Sequence, residues 1–166
     1  MAVLEILKYP DPRLKGIAEP VERFDDELLG FIQDLEDTMA DGPAAVGIAA
    51  PQVGRQQRIV IVDITGKPKF PNNGHMVLIN PEITEWDGMD IGREGCLSVP
   101  DYTGNVIRAE KVTLKACDPA GISHTYHCEA FEARAIQHEI DHLDGMLFID
   151  RVVSRRNDLF RRKNYK

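Results

Sequence analysis

His138-Glu139-Ile140-Asp141-His142 is the stretch around which the rest of the chain is read. It spells H-E-x-x-H within a run, Glu129 to Asp144, that reads as a long helix ending at Gly145. Four helical residues advance about 400°, so the two imidazoles stand about 40° apart and one turn along. Both rings can then face one metal ion. Glu139 lies about 100° round from His138, close to such an ion without having to bind it. That is where a general base within reach of a water is needed. The bland alternative is a chance H-E-x-x-H on a solvated helix, and a third ligand decides between the two.

The C-terminal side supplies no such ligand. A metzincin would carry a histidine six residues after His142, where this chain has Phe148. Gly145 does match that motif, but a helix stop explains it equally well. A thermolysin-like site needs a downstream glutamate, and none follows Glu139. The third ligand is therefore sought upstream, among His75, His124, His127, Cys96, Cys117 and Cys128. A lone histidine or cysteine on a strand is more often structural than ligating. Cys96 differs because Gly95, in Glu94-Gly95-Cys96-Leu97-Ser98, lets the backbone approach closely.

The 166 residues suit one domain with a single core. At 43% hydrophobic and 28% charged, the composition is that of a soluble globular protein. No apolar run approaches the ~20 residues of a membrane span. The N-terminus shows no targeting pattern, so the expected location is cytoplasmic, without membrane contact. Three cysteines form no disulfide framework, which agrees with a reducing compartment. A net charge of −7 argues against DNA binding.

Leu28, Ile32, Leu35 and Met39 recur at helical spacing, predicting a helix over Asp25 to Ala40 with Asp25 as cap and Asp41-Gly42-Pro43 as stop. Strands are predicted at Arg58–Val62, Met76–Asn80, Glu82–Trp86, Val112–Cys117, Ser123–Cys128 and Leu147–Ile149, with Asp118-Pro119-Ala120-Gly121 as a hairpin turn. The tail after Ser154 carries Arg155, Arg156, Arg161, Arg162, Lys163 and Lys166 against Asp158, and reads as a basic C-terminal helix over 154–166. The order predicts an α+β fold rather than a βαβ repeat. It would be one compact domain, residues 1–166, with antiparallel sheets around the H-E-x-x-H helix and further helices at both ends.

Glu94-Gly95-Cys96-Leu97-Ser98 together with Gln137-His138-Glu139-Ile140-Asp141-His142-Leu143 resembles the signature of peptide deformylases. Ala45-Val46-Gly47-Ile48-Ala49-Ala50-Pro51-Gln52 is similar to that family's Gly-x-Gly-x-Ala-Ala-x-Gln motif, with Ala45 in place of its first glycine. The resemblance implies a metal-dependent hydrolase that removes the formyl group from the starting methionine of nascent polypeptides and releases formate. It implies Cys96 Sγ, His138 and His142 as ligands of one divalent ion, Glu139 as base, and the Gln52 amide with the Leu97 N–H beside the oxyanion. Two imidazoles and a thiolate suit Zn²⁺ or Fe²⁺; the resemblance implies Fe²⁺ as the native ion, with Zn²⁺, Ni²⁺ or Co²⁺ tolerated.

Val46, Gly47 and Gly95 form small-residue backbone suited to receive a peptide as an added strand. Phe131, Arg134 and Ala135 share the helix face of His138 and would line a methionine pocket. Arg134 stands where many members of that family carry an aliphatic residue. Its stem is expected to line the wall while its head reaches solvent; the alternative is contact with a backbone carbonyl or acidic group of the substrate. The resemblance implies that Glu94 pairs with Arg108 to brace the Cys96 loop; Gln137 and Asp141 would either orient the histidines or be solvated helix residues. A substrate still on the ribosome gives the basic tail a partner in ribosomal RNA phosphates, whereas the plainer reading is a solvated charged face.

Two other functions compete. A general metallopeptidase would use the same helix with a cleft for internal bonds. A binding module that has lost activity would be expected to lack a ligand or the base, and Cys96, His138, His142, Glu139 and Gln52 are all present.

Overall fold

The computed structural model describes residues 2–42 and 44–162. The first long helix, α1 (Asp26–Asp41), begins where Asp25 Oδ1 accepts the Leu28 N–H at 3.0 Å. It buries Leu28, Phe31, Ile32 and Leu35 along one face. It stops at Gly42, whose N–H donates to the Met39 carbonyl.

The strands are β1 (Gly47–Ala49), β2 (Ile59–Val62), β3 (Met76–Asp87), β4 (Asp90–Cys96), β5 (Val99–Arg108), β6 (Lys111–Cys117), β7 (Ser123–Glu129) and β8 (Leu159–Arg161). A five-stranded sheet runs β1-β2-β3-β6-β7 and a three-stranded sheet β4-β5-β8, every pairing antiparallel. The second long helix, α2 (Ala130–Leu143), lies against one face of the larger sheet and α1 against the other. That explains why β2 is apolar at every position. Ile59 and Ile61 join the α1 core, whereas Val60 and Val62 join the α2 core. A third cluster, with Leu14, Val106 and Phe148, seats the smaller sheet on the chain after α2. No helix among the described residues is long and apolar enough to cross a membrane.

Several expectations change. Met76–Asn80 and Glu82–Trp86 are one strand, β3, whose register slips between Ile79 and Glu82, where Asn80 has φ +54°. Asn80 takes that conformation while its side chain bonds both the N–H and the carbonyl of Val21. Leu147–Ile149 is not a strand. Phe148–Asp150 form one 3₁₀ turn, with the Asp150 carboxylate accepting the Leu147 N–H. The tail is not a long helix either. Ser154 caps a single turn, α3 (Arg155–Asp158), and the chain then extends as β8 along β5, pairing Phe160 with Thr103. Lys163 and Lys166 lie outside the described residues. Gly145 ends α2 as expected: its φ is +77°, and a Cβ there would stand 2.4 Å from the Lys15 carbonyl oxygen.

Candidate active site

The α2 helix carries His138, Glu139 and His142, β4 ends on Cys96, and a 3₁₀ turn after β1 carries Gln52. One ligand atom from each of Cys96, His138 and His142 lies within 4.8 Å of the others, all three side chains being buried. Cys96 Sγ is 3.4 Å from His142 Nε2, and the imidazole centroids are 5.2 Å apart at 73°. None of the other upstream possibilities joins them. His75 bonds Asp63 and Glu36, His124 bonds Asp118, and His127 meets Thr113. Cys128 accepts from Asn73, and Cys117 belongs to the α1 side of the core.

The donor set fits a divalent ion. A thiolate and two imidazoles make three ligands of a tetrahedral N/S site, with one position left for a reactant. His138 Nδ1 lies 2.9 Å from Glu94 Oε1, which leaves Nε2 as its ligating atom. Burial pulls the His138 pKa down, but Cys96 and Glu94 outweigh it and hold it well above the usual value. The same negative charge would favour a metal cation between the rings and the sulfur. Burial above all keeps His142 well below its usual value, hence neutral as a ligand must be, whereas His138 would have to give up its proton to a bound ion.

Glu139 fits a base. Burial, helped by the Glu94 and Asp141 charges, pushes its pKa up to about 7 against the pull of His138 and Arg108. Its Oε1 is buried with no hydrogen-bond partner among the described residues. Its other oxygen lies over Gly47, where a Cβ would come within 2.6 Å. Gln52 is 1% exposed and fixed at both ends. Its Oε1 accepts the Ala49 N–H at 2.9 Å, while Nε2 donates to Ser98 Oγ at 3.0 Å and lies 3.5 Å from Cys96 Sγ.

Cys96, His138, Glu139 and Gln52 border a cavity of about 320 Å³. Val46, Gly47 and Gln52 line it from the β1 side, and Gly95, Cys96 and Leu97 from the end of β4. Phe131, Arg134 and Ala135 line it from α2, with Phe131 stacked on Phe70 at 5.3 Å. A larger open groove of about 840 Å³ beside Trp86 and Lys111 holds none of these residues.

Arg134 departs from the solvent reading: it is 7% exposed, so its head does not reach water, and three of its donor bonds are made within the protein. Nη1 donates to Glu94 Oε2 (2.7 Å) and to the Val106 carbonyl (2.9 Å), and Nη2 to the Asp90 carbonyl (2.9 Å). The Glu94–Arg108 pair forms as expected, through two bonds of 2.9 Å. Burial raises the Glu94 pKa, but the bonds and charges of Arg108 and His138 outweigh it and hold Glu94 well below the usual carboxylate range. Asp141 and Gln137 do not touch the histidines. Asp141 accepts from Arg108 and Arg151, and Gln137 bonds both backbone groups of Ala109. Ser98, which accepts from Gln52, is a functional residue beyond the sequence expectations, signalled only by a small hydroxyl two residues after a ligand. Nothing local pointed to Arg151.

A model of the polypeptide deformylase family matches residues 3–158. A peptide deformylase of Halothermothrix orenii is 50% identical over 153 residues, 92% of this chain and 96% of that protein. The crystal structure of a peptide deformylase from Legionella pneumophila is similar at a TM-score of 0.84 and 45% identity, covering 91% of this chain and 86% of that one. A class I type b peptide deformylase from Acinetobacter baumannii, solved with Met-Ala-Ser bound, is similar at a TM-score of 0.84 and 39% identity, over 91% and 99% of the two chains.

Proposed function

The chain belongs to the polypeptide deformylase family, and from that membership we propose how its residues divide the removal of the N-formyl group from nascent peptides. It is an enzyme of that class, a metal-dependent hydrolase acting on formyl-methionyl peptides. The observation that carries the assignment of roles is the convergence of Cys96, His138 and His142 beside a buried, unpartnered carboxylate oxygen of Glu139.

Cys96 Sγ and the two imidazoles hold the divalent ion, with Fe²⁺ the native choice and Zn²⁺, Ni²⁺ or Co²⁺ able to replace it. When bound, the ion supplies Lewis acidity, lowering the pKa of a water toward ~7 and polarising the formyl oxygen. Glu139 takes the proton from the attacking water as the water oxygen adds to the formyl carbon. It then returns the proton to the methionine nitrogen as the C–N bond breaks and formate leaves. One Gln52 Nε2 hydrogen is held by Ser98 Oγ; the other, turned from its long 3.5 Å contact with Cys96 Sγ, joins the Leu97 N–H in stabilising the oxygen that becomes negative. Losing one such donor typically costs ~2.7–4 kcal/mol of transition-state stabilisation.

The β1 strand is an edge strand of its sheet, so Gly47 and the N–H of Val46 just before it, whose carbonyl already accepts from Asp63, offer main-chain bonds to a peptide of any sequence, with Gly95 opposite. Phe131 and Ala135 provide the apolar wall for methionine, and Arg134 contributes only its stem. The chain works in the cytoplasm, where nascent formylated peptides emerge. Arg155, Arg156, Arg161 and Arg162 contact ribosomal RNA phosphates, now from a turn and an edge strand. Salt-sensitive cosedimentation with ribosomes should then vanish when residues 154–166 are removed; equal sedimentation would discard this contact.

The central test is formate release from formyl-Met-Ala-Ser after anaerobic Fe²⁺ loading. Glu139→Ala is expected to lose about 10²–10⁴-fold in rate while retaining metal. Cleavage inside the peptide without formate would indicate a general peptidase. A metal-loaded chain that releases no formate would indicate a binding module.

A further inference from the structure

The Cys96 ligand and the histidine ligands arrive on separate elements. Cys96 ends β4 in the smaller sheet, whereas His138 and His142 lie on α2, which packs on the larger one. Something must fix the β4–β5 hairpin against α2 to within a few tenths of an ångström. Arg134, one helical turn before His138, reaches from α2 to both strands of that hairpin. It donates to the Asp90 carbonyl at the start of β4 and to the Val106 carbonyl on β5. It also donates to Glu94 Oε2, whose other oxygen receives His138 Nδ1. The guanidinium lies flat on Gly92. A Cβ at that position would stand 2.9 Å from Cζ and Nε and 3.1 Å from Nη2. Gly92 has no positive φ, so the absence of a side chain there serves the arginine rather than the backbone.

We infer that Arg134 is a positioning residue of the metal centre, clamping the β4–β5 hairpin to α2 and holding the Glu94 carboxylate on His138, with Gly92 as its seat. This deepens the proposed metal site and rests on it. The Arg108 bonds run from β5 to Glu94 and Asp141 and act on the same carboxylate from the other side. Arg134 adds the link from the ligand helix itself. Groups beyond the ligands typically contribute 10–100-fold to metal affinity, which sets the expected size of the effect.

The test compares wild type, Arg134→Met, Arg134→Lys, Gly92→Ala and the Gly92→Ala/Arg134→Met double variant. The readouts are Zn²⁺ and Co²⁺ dissociation constants by chelator competition, and the visible spectrum of the Co²⁺ form. Methionine keeps the apolar stem but no donor, so Arg134→Met should bind metal about tenfold or more weakly, with an altered Co²⁺ spectrum. KM for formyl-Met-Ala-Ser should stay within about twofold of wild type. Gly92→Ala removes no polar group yet displaces the guanidinium, and should weaken metal binding in the same direction. The double variant should be no worse than Arg134→Met alone, because both changes break one contact. Lysine can restore one of the three bonds and should recover part of the loss.

Metal affinity within twofold of wild type in a folded Arg134→Met protein overturns the inference. So does a raised KM with unchanged metal binding, which would put the cation on the substrate. If Arg134→Met does not fold, Gly92→Ala alone decides: weakened metal binding supports the clamp, and wild-type binding overturns it. A wild-type chain that binds neither ion overturns the site itself and this inference with it, a result distinct from any difference among the variants.

Discussion

Gly47→Ala isolates how closely the base is held. The Cβ added at this position would lie 2.6 Å from Glu139 Oε2 and 3.0 Å from its Cδ and Cγ. For ordinary contact, which begins near 3.4 Å, the carboxylate must retreat by roughly 0.8 Å, and a misplacement near 1 Å can cost ~10²-fold in rate. Glu139 is 4% exposed and borders the cavity, so a retreat from Gly47 carries the carboxylate out of its working position. The expected outcome is a fall in kcat of about 10²-fold, equivalent to about 2.7 kcal/mol. Metal content should be unchanged, because no ligand atom is touched. The assay is coupled formate detection at saturating formyl-Met-Ala-Ser, with metal analysis on the same sample. A kcat within threefold of wild type would refute the argument. So would a loss confined to KM, since Gly47 would then matter for the substrate main chain and not for the base.

Two further outcomes follow from the charged groups. Arg108→Met strands Glu94 and Asp141 without the cation they share, although Arg134, His138 and Arg151 keep their bonds to them. Breaking a buried pair costs ~3–5 kcal/mol, and those remaining partners place the loss at the low end; a urea midpoint shift at constant m-value measures it, and a change below ~1 kcal/mol would contradict it. His75 is partly buried, which lowers its pKa, but the Asp63 and Glu36 carboxylates outweigh burial and raise it. A raised folded pKa gives stability that is full below the unfolded value of ~6.5 and fades as pH rises through the folded one. The melting-temperature gap between wild type and His75→Gln should therefore narrow as pH rises from about 5 to 9; a constant or widening gap counts against the pairing.

The features legible in the sequence are those set by short-range geometry. Two histidines four residues apart on a helix must share a face, and His138 and His142 do. Asp25 caps α1 and Gly145 ends α2 for equally local reasons. The α+β class followed from element order. What escaped was non-local. Asp90-Ile91-Gly92-Arg93-Glu94-Gly95 has two glycines and no sustained alternation, so β4 left no local trace. Strand β8 exists because β5 offers it an edge, which no window over an arginine-rich tail can show. Leu147-Phe148-Ile149 is apolar enough for either a strand or a 3₁₀ turn, and the Asp150 side chain selected the turn. The position of the Arg134 head is non-local for the same reason. An arginine on an apolar face ordinarily extends to water, but its acceptors here lie on the two unforeseen strands.

The buried charges around the site bear on why such a costly arrangement is kept. Each buried ion costs several kcal/mol of desolvation, and an apolar cluster of equal volume would often be as stable or more so. Stability alone therefore does not explain Glu94, Arg108, Arg134 and Asp141 lying together in the interior. Their positions along the chain do. Glu94 precedes Cys96 by two residues on β4, and Asp141 precedes His142 by one on α2. Arg108 bonds both carboxylates from β5, and Arg134 bonds Glu94 from α2. Every bond in the cluster thus links the strand carrying the sulfur to the helix carrying the imidazoles, directly or through one neighbour. Apolar side chains pack with tolerance for sliding, whereas directional charged hydrogen bonds, two-pronged from Arg108 to Glu94 and single from Arg108 to Asp141 and from Arg134 to Glu94, tolerate little. The cluster turns a contact between two sheets into a fixed distance between a thiolate and two rings, which catalysis at a shared cation requires.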